Sequence, residues 1–458
     1  MLDKNIASDI IFEALSLGAD FCDIFVEETK LQNISYNSSK VKNIQSGIDF
    51  GIGIRLIYGT RAMYAYSNSN KKEDLLTLTR NLAQKYKTNA QGKNLNFDKA
   101  LAYKEIKALG GNHELGYKID KLKVLDAMTR KNSEFVSQVS LGLLQKDTTV
   151  EIFDSEGLYA TEHRPYVRLL ASAITKDGGE QASGSWYPGA RGGFDYVDSL
   201  DLQEVSDEIV RQSLTILKAK PAPAGKMPVV IDNGFGGVIF HEACGHLLET
   251  TSVEKKASVL WDKKGELVAH ENLNAVDDGT MDNEWGSISI DDEGMPTQRT
   301  QLIKNGKVEN FLCDRLGAIK TEHPRTGSAR RQSYKYAPAS RMRNTFIEAG
   351  NYKLDDLLSS MEDGIYAKKM GGGSVNPGTG EFNFSVQEGY IVKNGKIGQA
   401  IKGATLIGRG EEILKKISMS ADNFELATGM CGSVSGSIPT TVGQPAIKVD
   451  EILVGGQA

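Results

Sequence analysis

Length, composition and charge predict a globular protein of two domains. The chain has 458 residues, of which 40% are hydrophobic and 25% charged, and its formal net charge is −5. A chain of this length exceeds one ordinary core, so two domains are expected. The acidic balance excludes the basic surface typical of a nucleic-acid-binding protein. No apolar run reaches the length that a membrane span needs.

Cysteine usage predicts a reducing compartment. The four cysteines, at positions 22, 244, 313 and 431, are too few for a disulfide framework in a chain of this size. The first residues, Met1–Lys4, open an amphipathic helix rather than a secretory signal. We therefore expect a cytoplasmic protein that binds neither a membrane nor nucleic acid.

Helices and antiparallel strands share the first half of the chain. Apolar residues at helical spacing predict a helix over residues 3–17 that ends at Gly18, and Phe21–Val26 predicts a strand. The later elements follow from the same periodicities. They are strands within 31–67, helices over 71–85 and 117–131, strands within 133–190, and a helix over 200–217.

The second half is predicted to be mostly β. Residues 218–225 are rich in Pro and Ala, which predicts a linker that resists both helix and sheet, so the predicted domains are 1–220 and 221–458. Asn305-Gly306 and Asn394-Gly395 lie between apolar runs and predict two hairpins. Residues 382–390 predict a strand, and residues 355–361 and 410–417 predict short helices. The predicted class is α+β: an N-terminal mixed α/β domain, then a mostly antiparallel β domain that carries a metal-binding helix.

That helix contains the motif His241-Glu242-Ala243-Cys244-Gly245-His246. A predicted strand, Val229–Ile231, leads into a predicted helix over Gly234–Glu249, with Asp232 and Asn233 as N-cap candidates. The two histidines are five positions apart, so an ideal helix would turn them roughly 140° apart, against about 40° for a spacing of four. A π-bulge at Gly245 would bring the rings together. Two imidazoles and a carboxylate on one helix predict a metal site.

A catalytic zinc needs a third protein ligand besides the two histidines. The candidates are Cys431, Cys244, Glu249, His270 and Cys313. Cys431 is favoured because flexible glycines lie close on both sides of it. Core packing suits Cys244 and Cys313 better, and Glu249 suits a ligand or a carboxylate that holds a ligand His equally well. Glu242 is the predicted general base.

The chain resembles the TldD branch of the TldD/PmbA family of peptidases, and the resemblance covers nearly the whole second half. It rests on His241-Glu242-x-x-Gly245-His246-x-Leu248-Glu249, Asp291–Gly294, Arg330-Arg331, Gly371–Gly373, Lys402–Gly408, Cys431-Gly432 and Val454–Gly456. The family's signature is a His-Glu-x-x-x-His helix with a later Cys that completes a zinc site. The resemblance therefore implies zinc ligands His241, His246 and Cys431, with Glu242 as the catalytic carboxylate.

The resemblance also implies a function and a partner. Family members are intracellular and act on short or unfolded peptides. A TldD-type subunit typically pairs with a PmbA-type (TldE-like) subunit that lacks the metal motif, so we expect such a heterodimer, or a homodimer. Family members often follow the Cys-Gly with Lys, a variable residue, Gly and Gln. This chain keeps the Cys but continues with Ser433–Ser437.

Other residues and functions also fit the sequence. Arg330, Arg331 and Tyr334 suit the lining of a peptide channel or a structural salt-bridge set equally well. Asp291–Glu293 is more typical of a solvated turn than of a calcium or magnesium site. His113 and His163 stand alone and are typical of surface or hydrogen-bonded histidines. The alternatives to a zinc peptidase are a non-catalytic regulatory or binding member of the same family and a metal hydrolase with a non-peptide substrate.

Overall fold

The computed structural model describes residues 1–456, and residues 1–217 form helices around one antiparallel sheet. The elements are α1 (Lys4–Ser16), β1 (Phe21–Asn37), β2 (Lys40–Tyr58), β3 (Arg61–Ser67), α2 (Lys72–Ala83), α3 (Leu115–Asn132), β4 (Val136–Asp154), β5 (Tyr159–Asp177), β6 (Glu180–Trp186), β7 (Gly189–Ala190), α4 (Asp195–Ser199) and α5 (Leu202–Leu217). This N-terminal sheet has the strand order β3-β2-β1-β4-β5-β6, and β7 pairs with β5. The predicted elements are confirmed, and only α4 was not predicted.

Strand β1 is covered on both faces, which places the N-terminal sheet between its own helices and the second half. Ile24 and Val26 pack into the core under α1 and α2. Phe25 points to the opposite face and packs with Ile290 and Tyr334 of the second half. Successive side chains of a strand alternate between faces, so one short apolar run joins both cores.

The second half, residues 218–456, is built mainly from strands. Its elements are β8 (Lys220–Pro221), β9 (Gly225–Ile231), α6 (Val238–Ala243), α7 (Thr250–Val253), β10 (Ala275–Asp278), β11 (Arg299–Lys304), β12 (Lys307–Val308), α8 (Arg315–Thr321), β13 (Ala329–Arg330), β14 (Ala339–Ser340), β15 (Asn344–Ile347), α9 (Leu354–Met361), β16 (Gly364–Asn376), β17 (Glu381–Lys393), β18 (Lys396–Lys402), β19 (Thr405–Arg409), α10 (Gly410–Ile413), β20 (Ile417–Ser420), β21 (Glu425–Ser433), β22 (Gly436–Gln444) and β23 (Ile447–Gly455). The α+β class is confirmed.

Both Asn-Gly hairpins are present. Asn305 and Gly306 have φ of 50° and 73°, and they join β11 to β12. Asn394 and Gly395 have φ of 49° and 70°, and they join β17 to β18. Positive φ at both turn residues is the type I′ geometry that Asn-Gly favours.

Two sheets enclose the core of the second half. The large C-terminal sheet has the order β16-β9-β23-β19-β17-β18-β8, and β20 pairs with β23. The small C-terminal sheet has the order β12-β11-β10-β15-β22-β21. Apolar residues of both sheets and of α6 form one hydrophobic core, which includes Ile231, Phe240, Leu302 and Leu406. The helix that carries the histidines is therefore held between the sheets.

The predicted linker is paired rather than free. Lys220 and Pro221 form β8 beside Ile401 and Lys402 of β18, and Ala222 N donates to Lys402 O. The prediction that this segment resists sheet structure is wrong, because a proline at the edge of a sheet needs no N–H donor on its free side. The division into residues 1–220 and 221–458 stays a prediction.

Candidate metal centre

Strand β9 delivers the metal-site motif to the interior of the second half. A 3-10 turn over Gly234–Gly237 follows the strand and leads directly into α6. The predicted N-cap is not formed, because Asn233 makes no capping bond and its Nδ2 donates to Asn423 O instead. Helix α6 lies so close to β22 that a Cβ at Gly237 would lie 2.5 Å from the backbone of Gly443.

The motif helix breaks at Cys244, between the two histidines. Cys244 has φ −138° and ψ −47°, and a 3-10 turn over Gly245–Leu248 follows it. The predicted continuous helix with a π-bulge at Gly245 is therefore wrong, because the chain changes direction rather than absorbing one residue. The break brings the rings of His241 and His246 together, with centroids 4.9 Å apart and planes at 86°.

The third residue at this site comes from β21, at the edge of the small C-terminal sheet. Cys431 Sγ lies 3.3 Å from His241 Nε2 and 3.3 Å from His246 Nε2. Zinc bonds of about 2.0–2.1 Å to nitrogen and about 2.3 Å to sulfur, arranged tetrahedrally, place N and S about 3.6 Å apart. Both N–S distances therefore fit one zinc ion to within a few tenths of an ångström. The three candidate ligand atoms all lie within 4.8 Å of one another, and the three side chains are largely buried.

Electrostatics also favours a thiolate at this position. Burial alone would raise the pKa of the Cys431 thiol, but the charges and hydrogen bonds of His241 and His246 lower it to about 3. Burial would lower the pKa of His246, whereas Glu249 and Cys431 raise it above its usual value. Glu249 Oε2 lies 3.0 Å from His246 Nδ1, so this carboxylate holds the ring of a ligand rather than the metal position.

Glu242 lies beside the three ligand atoms without joining them. Its Oε2 is 3.8 Å from His246 Nε2, and its side chain is 18% exposed. Burial raises the pKa of the carboxyl, although both neighbouring histidines oppose that rise. This position suits a group that exchanges protons at the metal site.

The other predicted ligand candidates lie elsewhere. Cys244 is fully buried in the core, and burial raises the pKa of its thiol far above the usual value. Cys313 is also buried, its Sγ donates to His323 O, and burial raises its pKa to about 12. His270 Nδ1 accepts from Asn272 N and does not reach the metal centre.

Two sets of charged residues have structural contacts. Burial lowers the pKa of Arg330 to about 10, and its Nη1 donates to Met342 O, whereas Arg331 N donates to Asp292 Oδ2. These contacts favour the structural interpretation of the arginines over a channel lining. Asp291–Glu293 is buried rather than solvated, and within residues 1–456 it does not form a group that could hold a metal.

His113 is less isolated than its sequence context suggests. Its Nε2 lies 3.2 Å from Asp195 Oδ1 and 3.3 Å from Asp198 Oδ2, at a spacing that a metal could bridge. Asp198 is also paired with Lys121 at 2.8 Å. Both aspartates lie more than 80 positions after His113 in the sequence, so local spacing gave no signal for this group. His163 pairs with Asp147 at 2.6 Å on the surface, as predicted for a hydrogen-bonded histidine.

Sequence reasoning missed Arg341, which is fully buried beside the metal centre. Its Nη2 donates to Cys431 O at 2.5 Å, and its Nε lies 4.0 Å from Glu249 Oε1. The guanidinium therefore lies beside both the strand that carries Cys431 and the carboxylate of Glu249, which follows the second histidine. An Arg in a run of mixed polar and apolar residues carries no recognisable motif, so the sequence offered no signal for it.

Three sequence models of one family match the chain in order. They are the PmbA/TldA metallopeptidase domain 1 over residues 22–84, the central domain over 112–217 and the C-terminal domain over 224–456. The chain belongs to the PmbA/TldA metallopeptidase family. Membership supports a metallopeptidase-type role. The first two matched segments share the N-terminal sheet, since β1 of the first pairs with β4 of the second.

Two named relatives align with nearly the whole length of this chain. A Haemophilus influenzae protein named metalloprotease TldD homolog is 37% identical over 463 residues, which cover 97% of this chain and 95% of that protein. A Saccharolobus solfataricus protein named zinc metalloprotease TldD homolog is 27% identical and covers 97% and 99%.

Solved structures share the fold of this PmbA/TldA chain. TldE from Thermococcus kodakarensis has a TM-score of 0.76 at 17% identity, covering 98% of this chain and 100% of that one. A Thermotoga maritima protein described as a proposed modulator of a DNA gyrase has a TM-score of 0.80 at 21% identity, covering 98% and 99%. At these identities the likeness concerns the fold. In residues 1–456, the helices are all too short or too polar to cross a membrane.

Proposed function

We propose that this protein is a zinc-dependent peptidase that hydrolyses peptide bonds in short or unfolded peptides. The observation that carries the proposal is the approach of His241 Nε2 and His246 Nε2 to Cys431 Sγ, at 3.3 Å in each case. Imidazole nitrogen and thiolate sulfur both bind zinc, and three protein ligands leave the fourth position that a catalytic zinc keeps open. The name of the Saccharolobus relative supports the same metal.

Glu242 is the general base in this proposal. Zinc held by His241, His246 and Cys431 would supply Lewis acidity toward the scissile carbonyl and the attacking water. Glu242 Oε2 takes a proton from the attacking water and returns it to the leaving amine, and burial raises the pKa of this carboxyl, which strengthens it as a base. Glu249 accepts the N–H of His246 Nδ1, which leaves the Nε2 lone pair free for the metal.

Metal analysis and peptide digestion together test this function. The purified full-length chain should contain stoichiometric zinc, lose it in the His241→Ala variant, and cut unstructured peptides from a library. Stoichiometric zinc without cleavage of any peptide, with or without a candidate partner subunit, would favour the non-catalytic alternative. Cleavage of small amides or other non-peptide substrates, with peptides left intact, would favour the other metal hydrolase.

We further propose that the protein works in the cytoplasm, paired with a PmbA/TldE-like subunit or with a second copy of itself. The family resemblance supports the pairing. The four cysteines, all within the described residues, form no disulfide, which suits a reducing compartment. Sedimentation of the chain with and without candidate partners tests the pairing, and a strictly monomeric, fully active chain would contradict it.

A further inference from the structure

One segment touches both the N-terminal sheet and the metal centre. It comprises residues 329–343, which we call the strap, and it runs from β13 through β14 to the start of β15. Within it only β13 and β14 pair with each other, over Ala329–Arg330 and Ala339–Ser340. The residues between these short strands reach across to the other half of the molecule.

Tyr334 anchors the strap in the N-terminal sheet. The residue is fully buried, its backbone N donates to Glu27 Oε2 at 2.7 Å, and its hydroxyl donates to Asp49 Oδ1 at 3.0 Å. Its carbonyl accepts from Tyr64 Oη at 2.5 Å. The ring occupies the space above Gly51 of β2, where an added Cβ would lie 2.1 Å from the ring.

The strap also holds the turn that follows Cys431. Gln332 N donates to Ser435 O at 2.8 Å, and Gln332 Oε1 accepts from Ser437 N at 2.8 Å. These bonds fasten the turn between β21 and β22. That turn is the stretch, Ser433–Ser437, in which the chain departs from its family's usual pattern.

Arg341 makes the second attachment. Its Nη1 donates to Ser435 Oγ at 2.9 Å and to Gly436 O at 2.8 Å, while its Nη2 donates to Cys431 O. Because β21 is an edge strand that pairs only with β22, the hairpin alone gives the thiolate support from one side. Arg341 adds a bond to Cys431 O itself, and Gln332 holds the turn that joins β21 to β22.

We propose that the strap is the device by which the N-terminal half fixes the metal centre, with Tyr334 as its anchor and Gln332 and Arg341 as positioning residues for Cys431. The inference rests on the zinc site of the proposed function. Residues that orient metal ligands typically change metal affinity by about 10–100-fold when they are removed. A disturbance on the N-terminal side of Tyr334 should therefore weaken zinc binding in the other half.

Two glycines of β2 provide a matched test in the full-length protein. Gly51 lies in the N-terminal half, away from the metal centre, and a Cβ there would displace the Tyr334 ring. A Cβ at Gly47 meets no atom within 4 Å. Gly51→Ala should raise the zinc dissociation constant by about tenfold or more. Gly47→Ala should leave the constant at the wild-type value. Competition with a chromophoric chelator measures both.

A second pair of variants keeps the test decisive if Gly51→Ala also lowers stability. Gln332 is exposed, so its truncation leaves the core intact. Gln332→Ala should weaken zinc binding and reduce the thiolate-to-metal charge-transfer band of the cobalt-substituted protein. Gln332→Glu keeps an oxygen acceptor for Ser437 N and should restore both.

Wild-type zinc affinity and an unchanged cobalt band in both Gly51→Ala and Gln332→Ala would overturn the role of the strap. The wild-type protein is measured first, because it tests the proposed function separately. A wild-type protein that binds no zinc, or whose cobalt form shows no thiolate band, would overturn the proposed function itself.

Discussion

Cys431 owes its chemistry to residues that are distant in sequence. The two histidines lower the pKa of its thiol, whereas burial raises the pKa of Cys244 and Cys313. The three thiols are all buried, so burial alone does not separate them. The partner groups decide which thiol can serve as a zinc ligand.

Replacement of the cysteines tests this assignment. Cys431→Ser should lower zinc affinity strongly, while Cys244→Ser and Cys313→Ser should retain stoichiometric zinc, because neither thiol reaches the metal centre. In the native protein, alkylation should spare Cys431 until a chelator removes the metal. Equal alkylation rates with and without metal, together with full zinc in Cys431→Ser, would move the third ligand elsewhere.

Glu242 gives a second prediction at the residue scale. Glu242→Gln should keep zinc, because the side chain lies outside the group of three ligand atoms. Peptide cleavage should fall by about 10²-fold or more, since loss of a general base has at least that effect. The control is Glu266→Gln, an exposed carboxylate paired with Lys263. A Glu242→Gln variant with near-normal turnover would place the base at another residue.

At the scale of the element, glycines decide how closely the motif helix can pack. A Cβ at Gly237 would meet the backbone of Gly443, whereas a Cβ at Gly245 would meet Met342 Sδ at 2.2 Å. A methionine side chain can move aside, and a strand in the middle of a sheet cannot.

Gly245→Ala should therefore lower the free energy of unfolding by about 1–3 kcal/mol, the usual cost of overpacking. Gly237→Ala should cost more, because α6 must separate from β22. Urea unfolding of both variants measures the difference. Equal losses of stability would show that the backbone of β22 yields as easily as the methionine does.

The N-cap residue of helix α8, Asp314, has a carboxyl whose ionisation opposes folding. Asp314 caps this helix by accepting from Gly317 N, and burial followed by the charge of Glu293 raises its pKa to about 6. A raised carboxyl pKa contributes stability that is present below the unfolded value, near 4, and is lost as pH rises through the folded value.

Asp314→Asn keeps the Oδ1 acceptor and removes the titration. The free energy of unfolding of the variant minus that of wild type should increase by about 3 kcal/mol as the pH rises from about 4 to about 7. This magnitude corresponds to a shift of roughly two pKa units. Urea unfolding at both pH values gives the difference. The same difference at both values would show that the carboxyl does not titrate in this range.

Local patterns predicted the elements better than their junctions. The two Asn-Gly hairpins and the helices of the first half follow from turn chemistry and periodicity, which act over a few residues. The break at Cys244 did not follow from local periodicity, because the residue lies in the core, where tertiary packing competes with helix propensity. Cys431 lies 185 positions beyond His246. The flexible glycines beside it favoured it as a ligand and the family resemblance implied the same role, whereas nothing local pointed to Arg341.

At the scale of the whole molecule, buried ion pairs join the two halves. Arg55 Nη2 lies 2.8 Å from Glu293 Oε1, and Arg164 Nη1 lies 2.6 Å from Asp292 Oδ1, with all four side chains at most 10% exposed. Breaking a buried pair of this kind costs about 3–5 kcal/mol. The halves should therefore stay associated even when the chain between elements is cut.

Limited proteolysis tests this arrangement. A protease of broad specificity should first cut near Lys87 or Lys93, which are exposed in the stretch between α2 and α3, because that stretch lies outside the helices and strands. Residues 220–222 should resist, since Lys220 and Pro221 pair with β18 and Ala222 N donates to Lys402 O. The nicked fragments should elute together in gel filtration. A first cut within 220–222, or within 230–250, would contradict the structure.

Strand β23 has a consequence for the synthesis of the protein. It lies between β9 and β19, next to the strand that delivers the histidines, although it is formed by residues 447–455. On the ribosome, the histidine motif emerges long before its neighbouring strand and long before the thiolate. In the proposed function, peptide cleavage requires both Cys431 and the sheet that β23 completes, so we expect the chain to become active only after these residues have been synthesised.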